Sequence, residues 1–138
     1  QYKMENKFKN KGELIIEQFE NIKWKDFPGA PEVKYFDVEG TISSPGPFIA
    51  RVKMPAGYKA AMHEHSAPFF ERNIVISGVM HLGIGAEFDE SKGVALGAGA
   101  IAVIPPGVKH YSWNDVETVI HVHGEGPWVP PEFLNSHL

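Results

Sequence analysis

The sequence has no cysteine among its 138 residues. That excludes a disulfide framework, a thiolate zinc site and a cysteine nucleophile. Any metal the chain holds must take nitrogen and oxygen ligands. An excess of positive charge is also missing: 17 acidic residues stand against 13 basic ones, for a formal charge of −4. The electrostatic footprint of a nucleic-acid-binding surface is therefore absent, and no nucleic-acid partner is expected. No apolar run approaches the roughly 18–20 residues that cross a bilayer as a helix, so no membrane span is expected. A chain of this length is expected to form one domain, and it can bury enough surface to need no covalent staple. It begins at Gln1 rather than Met, as expected of a mature or shortened form.

What the sequence does have is punctuation. Fourteen glycines and eleven prolines are spread along it. Between them lie short segments rich in Val, Ile, Phe and Tyr: Val33–Val38, Phe48–Met54, Asn73–Ser77, Val79–Ile84, Ala100–Ile104 and Thr118–Val122. Many short strands parted by Gly and Pro turns are the pattern of an all-β sandwich or barrel. Residues 1–12, rich in Lys and Asn and without apolar periodicity, read as a flexible N-terminal arm. Residues 13–128 read as the single domain, and 129–138 as an irregular C-terminal tail. The segment Glu13–Trp24 fits either a strand or a short helix. The acidic stretch Glu87–Gly93 reads as a surface loop with room for one helical turn.

The seven histidines carry the chemistry. His63 and His65 are one residue apart. On a strand, with its period of two, both would point to one face, the geometry for two imidazoles on one metal ion. By itself the same spacing reads more readily as a pair of incidental surface histidines. Farther on, Ala100–Ile104 runs into Pro105-Pro106-Gly107, and His110 opens the next strand. A Pro-Pro-Gly turn rigidly positions the returning residue. By itself this is also a hairpin with an unremarkable histidine.

Together the two constellations resemble the cupin superfamily. Gly99, Pro105, Gly107, His110 and Asn114 fill every fixed position of the second cupin motif. Gly57, His63, His65, Glu71 and Gly78 fill the first, with one departure: five residues, Ser66 to Phe70, separate His65 from Glu71 where the motif has three or four. A two-residue increase over the shorter spacing keeps strand parity, and Pro68 makes a local bulge plausible. The phrases PGPFIARVKMPAGY, VISGVMHLGIGAEFDESKG and ETVIHVHGEGPW further resemble small, single-domain, cupin 2-like bacterial monocupins, from about Trp24 to Trp128.

The resemblance implies an all-β cupin β-barrel, a double-stranded β-helix or jelly roll, with a short N-terminal extension. It implies one divalent transition metal per chain (Fe, Mn, Ni, Cu or Zn) held by His63, His65, Glu71 and His110, or by the three histidines alone. Four protein ligands leave open coordination positions for a substrate or dioxygen. The function it implies is a metal-dependent oxygenase-type oxidoreductase acting on a small organic molecule. A non-redox isomerase or lyase and a non-catalytic small-ligand or metal-binding cupin are the alternatives, since one fold hosts many chemistries. An acid–base group would come from His81, His121 or His123, while the blander reading of the last two is polar lining of the barrel. Tyr111 and Trp113 alternate away from His110 and should pack in the other direction. Phe69 and Phe70 either shape a pocket mouth or fill core space. A homodimer is implied, with Glu13–Trp24 the segment to exchange, and an exported location is favoured over a cytoplasmic one.

Overall fold

Period-two burial is the organising feature of the chain. In the segment Gly46–Met54, the residues Gly46, Phe48, Ala50, Val52 and Met54 are buried, while those between them are only half so. Such alternation buries one face of a strand and leaves the other to water or to a covering segment. The structure is a computed structural model and describes residues 12–129. Its strands are β1 (Lys25–Phe27), β2 (Ala30–Glu39), β3 (Gly46–Met54), β4 (Lys59–His63), β5 (Glu71–Ser77), β6 (Met80–Ile84), β7 (Val94–Leu96), β8 (Ile101–Ile104), β9 (His110–Trp113) and β10 (Thr118–Gly126). A single 3-10 turn, Glu90–Lys92, is capped by the Asp89 carboxylate, which accepts from Ser91 N.

The strands form two antiparallel sheets. One has six strands in the order β1-β2-β3-β10-β5-β8, and the other four in the order β4-β9-β6-β7. Strand β10 is central to the larger sheet. It pairs with β3 on one side, Ile120 against Val52, and with β5 on the other, His121 against Ile74. The inward residues of β2, β3, β5 and β10 make one core that includes Tyr35, Phe48, Val52, Val75 and Val122. A cavity lies between the sheets, walled by Val33, Val52 and Ile120 from the larger and by Met80, Leu82 and His110 from the smaller. This is the all-β, two-sheet cupin architecture that the sequence led us to expect.

A second, smaller apolar layer covers the outer face of the four-stranded sheet. Tyr111 and Trp113 stack there at 6.1 Å, and Phe88 tilts against both. They pack away from His110, as the alternation requires. Gly83 and Gly93 make room for them: a Cβ at Gly83 would collide with the Tyr111 ring, and one at Gly93 with Trp113. The Tyr111 hydroxyl donates to the Asp89 carbonyl at 2.6 Å, tying the acidic loop down over the layer.

Several elements depart from expectation. Glu13–Trp24 is neither strand nor helix; it is irregular apart from a lone bridge at Glu13. Phe19 and Asn21 adopt positive φ, 61° and 57°, which breaks both regular patterns. The segment lies across the outer face of its own chain's larger sheet, where the Arg51 guanidinium sits 3.7 Å from the centre of the Phe19 ring. Strand β10 runs on to Gly126, well past Val122. Val129, at the start of the tail, is buried in the core, and its amide and that of Trp128 both donate to the Ile42 carbonyl. Residues 1–11 of the N-terminal arm and 130–138 of the tail lie outside the described residues.

Candidate metal centre

The four residues singled out by the motifs meet at one end of the cavity. A ligand atom from each of His63, His65, Glu71 and His110 lies within 4.8 Å of the others. His63 ends β4, His110 opens β9, and the two are paired across the smaller sheet. Glu71 opens β5 in the larger sheet. His65 lies beyond the end of β4, so it does not share a strand with His63. The two rings nonetheless approach edge-on, with centres 5.0 Å apart.

The longer spacing between His65 and Glu71 is absorbed locally. Ala67 and Pro68 form a turn, and the Phe69 amide donates back to the Ser66 carbonyl at 3.1 Å. The chain then re-enters the sheet at Glu71 with its carboxylate inward. Of the two phenylalanines, Phe69 fills core space: it is buried, stacks on Phe48 and Trp128, and presents its ring to His65 at 5.1 Å. Phe70 is exposed, with the Arg72 guanidinium over its ring. Glu64, between the histidines, is exposed as well.

Hydrogen bonds define the protons. His63 Nδ1 lies 2.8 Å from the Ala61 carbonyl oxygen, and His110 Nδ1 lies 2.9 Å from that of Val108. A carbonyl only accepts, so each Nδ1 carries the hydrogen and each Nε2 keeps a lone pair. This is the arrangement that orients metal-binding imidazoles. His65 Nε2 lies 2.7 Å from Glu71 Oε1, an interaction in which the imidazole donates to the carboxylate. Asn73, two residues along β5 and so on the same face, donates its Nδ2 hydrogen to Glu71 Oε2 at 2.7 Å. Both carboxylate oxygens are thus oriented.

The electrostatics follow from these contacts. Burial by itself would raise the Glu71 carboxyl, but the nearby His110 imidazole and the hydrogen bonds from His65 and Asn73 outweigh it and hold the group well below the usual carboxylate range. Burial pushes His63 below the ordinary imidazole value. Burial pushes His110 down too, but the Glu71 carboxylate and the Val108 carbonyl overcome it, and the net shift is upward. Yet His110 Nε2 stands 3.6 Å from Glu71 Oε1, beyond a good hydrogen bond. It is fully buried and has no hydrogen-bond partner among the described residues. A buried polar atom left unpaired is rare and costly. A cation in the middle of the cluster would pair it, so the donor set fits a divalent transition metal.

The remaining motif residues are scaffold. Asn114 is buried, and its Nδ2 donates to the carbonyls of Pro55 and Val116, each at 2.8 Å. Gly78 has φ +81°, and a Cβ there would lie 2.5 Å from the Glu117 carbonyl oxygen. No other residue takes that conformation without strain.

His81, His121 and His123 are elsewhere. Met80 and Leu82 face the cavity, so His81 between them faces out, where it stacks flat on Trp113 at 4.9 Å. Ile120 lines the cavity and Val122 belongs to the core, which turns His121 and His123 to the outer face of the larger sheet. His121 lies there under the N-terminal segment, in a shallow pocket with Phe19 and Arg51. These three were expected as acid–base candidates, and two of them as barrel lining. Strand parity corrects that: none borders the cavity. The sequence reading missed Asn73, Ser112 and Tyr58, which do border it. Asn73 was legible as the same-face neighbour of Glu71, and Ser112 as that of His110; Tyr58, in a turn, gave no such signal.

No family model matches the chain, and no curated protein matches it. Solved structures do resemble it. KdgF from a Halomonas species is 19% identical and aligns over 83% of this chain and 94% of that one, with a TM-score of 0.62. An RmlC-like cupin from Shewanella frigidimarina is 16% identical over 86% of this chain and 97% of that one, with a TM-score of 0.61. A salicylate 1,2-dioxygenase from Pseudaminobacter salicylatoxidans is 15% identical; the alignment spans 72% of this chain and 28% of that one, with a TM-score of 0.56. At such identities the likeness is one of fold. With its two facing antiparallel sheets and a histidine-rich cluster in the cavity between them, the chain has the cupin fold.

Proposed function

We propose that this chain is a metal-binding cupin that uses one divalent transition metal, held by His63, His65, Glu71 and His110, to act as an oxygenase-type oxidoreductase on a small organic molecule. One observation carries the metal: the buried, unpartnered Nε2 of His110 among three further donors. Iron, manganese, nickel or copper bound there would supply redox chemistry and leave positions for reactants. The residues do the rest. The Ala61 and Val108 carbonyls hold two imidazoles in the binding tautomer. The hydrogen bond between His65 and Glu71 holds these two donors side by side, where a cation would take the place of the shared hydrogen bond. The apolar wall keeps water from the reacting groups. An isomerase or lyase would use an acid–base group in the cavity, and His81, His121 and His123 all face away from it.

Elemental analysis of the purified or reconstituted protein should find about one transition metal per chain. No metal after reconstitution refutes the proposal, and zinc alone in active protein refutes the oxygenase. His110→Ala should lose most of the metal. If Glu71→Ala binds it as tightly as the parent, the three histidines suffice. Dioxygen uptake across a substrate panel reads turnover, and ligand binding without uptake would favour a non-catalytic binder. The same reading takes the chain to be a homodimer. Support comes from Ile76, Ile101 and Val103, exposed on the outer face of the larger sheet and its edge. A monomeric mass in solution would remove that part.

A further inference from the structure

The cavity between the sheets has a volume of about 580 Å³, within the range that encloses a small organic ligand. Its polar groups gather at one end, around Glu71. Apart from the Ser112 and Tyr58 hydroxyls, the rest of the wall is apolar and partly aromatic, with Phe27 and Trp128 in contact at 5.2 Å. No Lys or Arg borders it among the described residues, and Glu71 is the one acidic side chain that does. Strand parity explains this. Cations on the strands that wall the cavity are engaged outside it. Arg51 lies on the Phe19 ring, Lys53 on the Trp24 ring, Arg72 on the Phe70 ring, and Lys59 pairs with Glu90 at 2.7 Å.

We infer that the ligand of this cavity is a neutral, apolar ring compound with a single oxygen-bearing polar end. This deepens the metal-cupin reading and rests on it for the polar end, which meets the His63–Glu71 cluster. The body of the ligand lies along Trp128, Val52 and Ile120. A carboxylate, sulfonate or phosphate drawn into the cavity away from the cluster would meet no Lys or Arg on the wall to pair with. Burying an unpaired charge is prohibitive. Ligands that carry an anionic group away from the metal end are therefore outside the class.

The test compares two ligands that share the same ring and the same polar end. 2-Naphthol and 6-hydroxynaphthalene-2-sulfonate differ only in a charge at the far end. Each is titrated by calorimetry into metal-loaded protein, with metal content measured on the same sample. 2-Naphthol is expected to bind at least about tenfold tighter. Leu82→Lys places a cation on the cavity wall and should narrow or reverse that preference. Equal or tighter binding of the sulfonate by the parent protein overturns the inference, and so does failure of both compounds to bind. If Leu82→Lys does not fold, the comparison on the parent still decides. A protein that takes up no metal yet prefers 2-naphthol refutes the metal-centre reading and leaves the neutral-ligand inference standing. A metal-loaded protein that prefers the sulfonate does the reverse.

Discussion

Asn73→Ala tests whether the support around the cluster matters as much as the cluster itself. Asn73 is buried, and its Nδ2 lies 2.7 Å from Glu71 Oε2. Its removal leaves a buried carboxylate oxygen without a donor. A hydrogen bond to a charged group contributes about 1.5–3 kcal/mol, and an unmade one in the interior costs a similar amount. That carboxylate is also one of the four proposed ligands. Losing an outer partner of a metal ligand typically weakens metal binding by about 10–100-fold. At 1.4 kcal/mol per tenfold this is roughly 1.4–2.8 kcal/mol, so the two estimates agree. The assay is competition for metal against a chromophoric chelator, beside urea unfolding of the metal-free protein. Asn73→Ala should bind metal at least about tenfold more weakly and unfold at lower urea. Asn73→Ser, which can still donate through a hydroxyl or a bridging water, should recover part of the affinity. Metal affinity within about twofold of the parent would refute the claim that Asn73 orients Glu71, whatever its effect on stability.

Two further outcomes bear on the fold. His121 and His123 are held below the ordinary imidazole value, first by burial and then by neighbouring positive charge, from His123 and Arg51 on His121 and from Arg72 on His123. Their folded pKa lies below the unfolded value of about 6.5, so on acidification the unfolded chain takes up protons first. Stability is therefore expected to fall as the pH drops through that range, and thermal unfolding at pH 7 and pH 5 should show the loss shrinking in the double variant His121→Gln/His123→Gln. An unchanged loss would put its origin in other groups. Gly78→Ala meets both a left-handed φ of +81° and the Glu117 carbonyl, and should cost more than about 1 kcal/mol in chemical denaturation. A neutral result would mean that the turn can shift.

Much of the site was written in spacing. Pro105, Gly107 and His110 make a turn and a returning strand, and no distant contact is needed to see it. The alternation in Phe48–Met54 and in Thr118–Val122 follows from the period of two in an extended chain, but it left open which of the two faces is the core. The same period also predicted the outward packing of Tyr111 and Trp113. Strands β1 and β7, three residues each and mostly exposed, are too short to show an alternation and were not legible. Glu13–Trp24 was misleading because its apolar residues cover the outside of a sheet instead of forming an element. Only the sheet beneath it determines that role.

The absence of cysteine, the strand pattern and the two histidine motifs were properties of the sequence alone. They restricted the chain to an all-β fold and a nitrogen–oxygen donor set. Tertiary structure decided which way each strand faces. Parity within a strand is local, but the choice of inner face depends on what the facing sheet buries. That choice sent His81, His121 and His123 outward with the cations. It brought Asn73, Ser112 and Trp128 to the cavity, and with them the character of the ligand that the cavity can hold.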